Sequence, residues 1–267
     1  MTPADLLTIV FGVVIGFSLG LTGGGGSIFA VPMLIYGLGT TAREAVAISL
    51  AAVGATSLLG AMLRWRAKEL ELRGGIIFAL GGLVGAPFGT AINARLPEAL
   101  VLIGFAGLMV LVGRRMWGGK KPTASQRPSP CGQLVDDRVQ LTRKCIAVLL
   151  GAGFQVGVLS GIFGVGGGFI IVPALIFVTG IPIHRAVTTS LLVIAVICAS
   201  GVVSHSLAGE GLPLHLTSFF IAGGFLGMIP GIRLRARLSG PTLNRVFAVG
   251  MWVVAVFLIV KNTVLAS

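Results

Sequence analysis

Two glycine-rich segments carry the residue types best suited to holding a ligand: GLTGGGGS (Gly20–Ser27) and GIFGVGGG (Gly161–Gly168). Clustered glycines break a helix, and each cluster runs into a short apolar stretch containing a Val-Pro pair, Val31-Pro32 and Val172-Pro173. A new helix is therefore expected near Ile28 and near Phe169. The first N–H groups of such a helix have no intrahelical partner, and its dipole leaves partial positive charge at that end. Small anions are the natural ligands of these ends, and glycine lets the backbone approach them without a Cβ. The candidate binding residues are Thr22, Gly23, Gly24, Gly25, Gly26 and Ser27 in the first cluster, with Thr22 and Ser27 adding hydroxyl donors. In the second cluster they are Gly164, Val165, Gly166, Gly167 and Gly168.

The helix that follows each cluster adds further polar groups. TTAREAVAISL (Thr40–Leu50) and IPIHRAVTTSL (Ile181–Leu191) put Ser49 and Ser190 at equivalent places, with Thr188 and Thr189 beside Ser190. Hydroxyls in an apolar helix often bond their own i−4 carbonyl. The alternative is that Ser49, Thr189 and Ser190 face a cavity and hydrogen-bond the anion. Arg43, Glu44, His184 and Arg185 flank these helices. Ionisable groups near a membrane core are costly and often functional, so these four are candidates for an ion path.

The elements that position these groups lie in a bilayer. Of 267 residues 55% are hydrophobic, 10% are charged and 41 are Gly, with mean hydropathy +1.01. A soluble domain carries roughly 25% charged residues, and a disordered chain more still. An integral membrane protein is the remaining class. Its net charge of +12 falls in short loops between apolar runs, where basic residues fix topology, and those loops are too short for a nucleic-acid-reading module. Three cysteines without CxxC spacing, Cys131, Cys145 and Cys198, imply neither a disulfide framework nor a zinc site. HExxH and Walker A patterns are missing, so neither an enzyme nor a cofactor is expected. The first apolar run starts at Leu6 behind Asp5 without a basic segment before it, and reads as a membrane segment, not a cleaved signal. The expected partners are the lipid bilayer and a small anionic substrate.

The chain is duplicated. At a fixed offset of 141, residues 20–50 align with 161–191 without a gap and 13 of 31 positions are identical, well above the roughly three that composition would give. With one residue inserted, GGLVGAPFG (Gly81–Gly89) also matches GGFLGMIPG (Gly223–Gly231). These later glycines read as small-residue packing faces, where a methyl at Gly85 is expected to cost only about 1–3 kcal/mol. Gly25→Leu and Gly166→Leu are expected to abolish transport, since a Cβ at a break blocks the anion site. Residues 1–117 and 141–267 form the two membrane repeats, joined by a polar linker at 118–140. The fold class is an all-α polytopic membrane protein, each half a glycine-broken helical hairpin followed by three transmembrane helices.

Charge decides the direction of the halves. If each broken pair were one crossing, the basic residues would split 13 to 7 between the two faces. If the chain folds back at the glycines, the split becomes 17 to 3, with only Arg43, Arg95 and Lys261 opposite the majority. The positive-inside rule favours the fold-back. It makes the halves inverted copies, with both termini outside and the central loop cytoplasmic, a plan used by secondary transporters.

GLTGGGGSIFAVPMLIY and GIFGVGGGFIIVPALIF, each followed by an (A/T)xSL helix, resemble the sulfite exporter TauE/SafE family. The resemblance spans about residues 5 to 260 and implies transport, by export, of a small sulfur-containing anion such as sulfite, sulfoacetate or a related sulfonate across the cytoplasmic membrane. Val165 stands where the first copy has Gly24, so the two breaks are not equivalent. The competing readings are an anion channel, and a membrane enzyme or assembly scaffold without transport. The last would need a catalytic cluster or docking domain that the sequence does not contain.

Overall fold

The computed structural model describes residues 3–64, 70–117, 131, 141–163, 168–207, 212–235, 249, 252, 253 and 256. Among these there are nine helices and no strand: α1 (Pro3–Thr22), α2 (Ser27–Leu38), α3 (Ala42–Arg64), α4 (Leu72–Asn93), α5 (Glu98–Trp117), α6 (Arg143–Phe163), α7 (Gly168–Thr179), α8 (Ile183–Leu207) and α9 (Leu214–Arg235). Six of them, α1, α3, α4, α6, α8 and α9, are long and apolar enough to cross a membrane. The 12 residues of α2 and of α7 reach only about 18 Å at 1.5 Å per residue, short of a full crossing. The third helix expected in the second half, near 242–260, lies largely outside the described residues.

Local chemistry sets these boundaries. Gly39 (φ 67°) and Gly180 (φ 70°) end α2 and α7 in the left-handed conformation, and their N–H groups donate to Ile35 O (3.1 Å) and Ile176 O (2.9 Å). Ahead of α3, Thr41 and Glu44 form a capping box: Glu44 N donates to Thr41 Oγ1 (3.3 Å) and Thr41 N to Glu44 Oε2 (3.1 Å). At the first glycine cluster the chain folds back. Gly26 packs on Ile15 and Leu19 of α1, and Gly37, near the far end of α2, abuts the Phe11 ring. In the second half, Thr179 at the end of α7 and Leu149 near the start of α6 both neighbour Gly74, so α7 returns along α6.

Two glycine ridges hold the long helices together. In α1 and α9, Gly12 meets Phe220 and Gly223, Gly16 meets Gly224, and Gly20 meets Met228 and Ile232, so the two run parallel. In α4 and α6, Gly81 meets Leu150, Gly85 meets Phe154, and Gly161 meets Ala86, again in parallel. Lipid supplies no hydrophobic drive for helix association, so such backbone-close packing stabilises the bundle instead. At the centre, α3 and α8 cross antiparallel: Gly54 lies against Cys198, Leu50 against Gly201 and Gly60 against Leu191. Ile48, Val53, Leu191, Val193, Ile194 and Ile197 are fully buried there. Leu80, Leu83, Val84, Phe88, Leu226 and Ile229 are exposed, which suits side chains that face lipid.

One covalent link departs from the sequence reading. Cys131 and Cys145 form a disulfide, although an odd cysteine count without close spacing pointed to none. It ties the central loop to the first turn of α6, and Cys131 N donates to Val178 O of α7 (3.3 Å). Cys198 is free and buried.

Candidate functional site

The first glycine cluster is a compact reversal closed by its own hydroxyls. Gly23 takes φ 74°, which a Cβ would oppose. Thr22 Oγ1 donates to Ser18 O (2.6 Å) and accepts from Gly25 N (3.0 Å), and Ser27 Oγ donates to Gly24 O (2.6 Å). From the other half, Ser190 Oγ lies 2.6 Å from Gly23 O and 2.8 Å from Val187 O. A Cβ at Gly24 would overlap the backbone of Gly168, the first residue of α7. The two breaks therefore touch. Thr22, Gly23, Gly24, Gly25, Gly26 and Ser27 are all buried, with the hydroxyls spent on the reversal. Gly164, Val165, Gly166 and Gly167 fall outside the described residues. Ser49 is fully buried, and its hydroxyl has no hydrogen-bond partner among the described residues.

Open space lies beside this crossing. A cavity of about 350 Å³ is lined by Val31 of α2, Thr41 and the first turns of α3 (Ala42, Arg43, Val46), and Asn93, Leu96 and Pro97 at the end of α4. Val101 and Phe105 of α5 and Phe163, the last residue of α6, complete the wall. Its volume is at the lower end of small-ligand sites. Arg43 is the one charged residue in this lining, joined by the Thr41 hydroxyl and the Asn93 amide. Arg43 Nη2 donates to Ala94 O (3.1 Å), and Asn93 Nδ2 donates to Ile162 O beside the second break. Asn93 is 7% exposed; a buried amide in a helix of glycines and apolar residues is costly unless bonded.

The opposite end is closed by polar contacts on the first turns of α8. Arg64 Nη1 donates to Thr188 Oγ1 (3.2 Å) and Glu71 N to Thr189 Oγ1 (3.0 Å). Arg235 Nη2 donates to His184 O (2.8 Å). Of the four flanking ionisable residues, Arg43 lines the cavity and Glu44 closes the capping box of α3. His184 and Arg185 sit at the other end, on the first turn of α8. Asn93, Arg64 and Arg235 escaped the sequence reading. Asn93 was legible as the lone amide in α4, whereas the two arginines read only as topological charge at helix ends.

A bundle of membrane-length helices, with two short helices folded back at glycine breaks and a small cavity beside them, is the architecture of a multi-pass membrane transporter. The comparisons agree. The family model described as sulfite exporter TauE/SafE matches residues 8–258, and the chain belongs to that family. It is 35% identical over 263 residues to a "probable membrane transporter protein" of Xylella fastidiosa (strain 9a5c), covering 96% of this chain and 95% of the relative. The relative YunE of Bacillus subtilis (strain 168), also named a probable membrane transporter protein, is 26% identical over 252 residues, 90% of this chain and 88% of its own. These names describe transporters, not enzymes.

Proposed function

We propose that the protein exports a small sulfur-containing anion, sulfite, sulfoacetate or a related sulfonate, across the cytoplasmic membrane by alternating access of two inverted halves. The observation that carries this reading is the cavity with Arg43, Thr41 and Asn93 in its lining, ending at Phe163 beside the second break. A guanidinium matches the oxygens of a sulfonate or sulfite with paired N–H groups. The Thr41 hydroxyl and the Asn93 amide are neutral polar neighbours in the same lining. Inversion is supported by the helix directions: α3 opposes α8, while α9 runs with both α1 and α3, and α6 runs with α4 and α8. Of the substrate-binding set proposed from sequence, Thr22 to Ser27, Gly168 and Ser190 gather at the crossing, and Thr189 bonds Glu71 N at the opposite end. The charge split favours an orientation with loops 64–73, 114–144 and 233–245 inside and both termini outside, so the cavity opens outward.

Vesicles reconstituted with the purified protein and loaded with radiolabelled sulfite test the proposal. Saturable efflux, accelerated by unlabelled sulfite on the other face, is the expected result. Flux no greater than from protein-free vesicles, for sulfite and for sulfoacetate, would sink it. Flux without acceleration by counter-substrate would mark a channel; the closure at Arg64, Glu71 and Arg235 argues against a standing pore.

A further inference from the structure

The cavity lining has a counterpart at the opposite end. At the repeat offset of 141, Arg43 corresponds to His184, Val46 to Val187 and Phe163 to Thr22, and with the one-residue insertion Asn93 corresponds to Arg235. These four counterparts lie together. Arg235 bonds His184 O, and Val187 packs on Gly23, next to Thr22. Asn93 and Arg235 are buried alike, at 7% and 2% exposure, yet they are used in opposite ways. Asn93 turns to Ile162 O on the neighbouring α6 and leaves the space beside Arg43 open. Arg235 turns onto the first turn of α8 and spans the corresponding space. Arg64 on Thr188 and Ser190 on Gly23 close the same end.

We propose that in the alternate state this end opens into a second anion-binding cavity, lined by Thr22, His184, Val187 and Arg235, in which Arg235 holds the oxyanion. The proposal rests on the transport reading above and names the residues that take the anion on the other face. Across the paired positions each end carries one arginine, but at exchanged places: Arg43 with Asn93 at one end, Arg235 with His184 at the other. At these paired positions the anion thus meets one guanidinium whichever end is open, with Arg64 a further one at the Arg235 end. At the closed end the N-terminal dipole of α8 adds to that charge.

Val46 and Val187, each 1% exposed, form a matched pair for the test. Each is replaced by cysteine in a background with Cys131, Cys145 and Cys198 changed to serine, and labelled in sealed vesicles by a membrane-impermeant maleimide from either face. Val46→Cys is expected to react from the cavity face and Val187→Cys from the opposite face. Sulfate or sulfoacetate at ten times its Kd should slow both reactions about tenfold by occupancy. Adding Arg235→Asn should remove protection at Val187→Cys while keeping it at Val46→Cys, whose labelling also reports an intact fold. A Val187→Cys that never reacts while Val46→Cys does would overturn the second cavity. Protection of Val187→Cys that survives Arg235→Asn would overturn the role of Arg235. Labelling at both positions with no protection by either anion would overturn the anion reading of transport and the role of Arg235 together, with the cavity left standing.

Discussion

Gly24 and Gly85 are both buried glycines with another segment's backbone directly against them, Gly168 for the first and the Phe154 carbonyl for the second. Gly24 sits in a reversal, flanked by hydroxyl hydrogen bonds from Thr22, Ser27 and Ser190. Gly85 sits mid-helix, one step of a ridge in which Gly81, Gly85 and Gly89 meet Leu150, Phe154 and Val158. The ridge repeats every four residues and carries no hydroxyl partner of its own. The reversal is made once per half, beside a cavity and against the other half's reversal. Glycine content alone therefore does not mark a site in this bundle. Loss of the helix, with hydroxyls gathered around it, is what sets the candidate site apart from the ridges.

The largest expected effect tests whether the reversals are functional. Gly24→Leu and Gly168→Leu should reduce sulfite flux to the protein-free background, because the two backbones can no longer touch. Normal flux from either variant would reduce the reversals to packing devices. Arg43→Gln comes next. Losing one charge-assisted contact, worth about 1.5–3 kcal/mol, should raise the KM for the anion by roughly tenfold to a hundredfold. The thermal midpoint should not move, because the side chain is exposed. An unchanged KM would remove the cavity from the transport path.

The ridge should answer through stability instead. A mild effect was expected at Gly85, but a Cβ there overlaps the Phe154 carbonyl and lies 3.0 Å from Val158 N, both rigid backbone. Gly85→Ala is thus expected to force α4 and α6 apart and to destabilise by at least the upper part of the roughly 1–3 kcal/mol range for overpacking, while flux per folded molecule survives. The disulfide sharpens the orientation. The bond between Cys131 and Cys145 belongs to an oxidising compartment and so opposes the cytoplasmic loop that the charge split favours. With the loop inside, alkylation of intact cells should capture both thiols without added reductant. A bond that resists would move that loop to the oxidising side and turn the whole molecule over. The smallest effect belongs to Gly151, exposed and with nothing near its missing Cβ. Gly151→Ala should stay within about 0.5 kcal/mol in a thermal melt, and a large loss there would break the distinction drawn from the ridges.

Much of this architecture is legible in the sequence because it follows from local rules. Apolar length sets the crossings, the glycine clusters set the reversals, and the Thr41–Glu44 spacing sets the start of α3. The duplicated motif also marks the segments that meet, as Gly24 and Gly168 do. What stayed hidden depends on partners distant in sequence. Asn93 matters through Ile162, Arg64 through Thr188 and Arg235 through the start of α8, and a linear pattern does not say which helix ends share a face. The Cys131–Cys145 bond was missed because parity and spacing speak to frameworks of several bridges, not to one link across a linker.

The two ridges also set a timetable. α4 can meet α6 once α5, the central loop and α6 itself have been made, whereas Gly12 of α1 meets Gly223 of α9 only after 211 more residues have been added. At ordinary synthesis rates that interval is roughly 10 to 40 seconds. Of the described helices, α1 is made first and waits longest for its partner, with its glycine face held in lipid or against another neighbour until α9 follows. The order of synthesis lets the α4–α6 ridge form before the α1–α9 ridge, which must await α9. A chain cut short just before α9 would consequently display an unmatched glycine face on α1, a mark by which membrane quality control can tell an unfinished copy from a complete one.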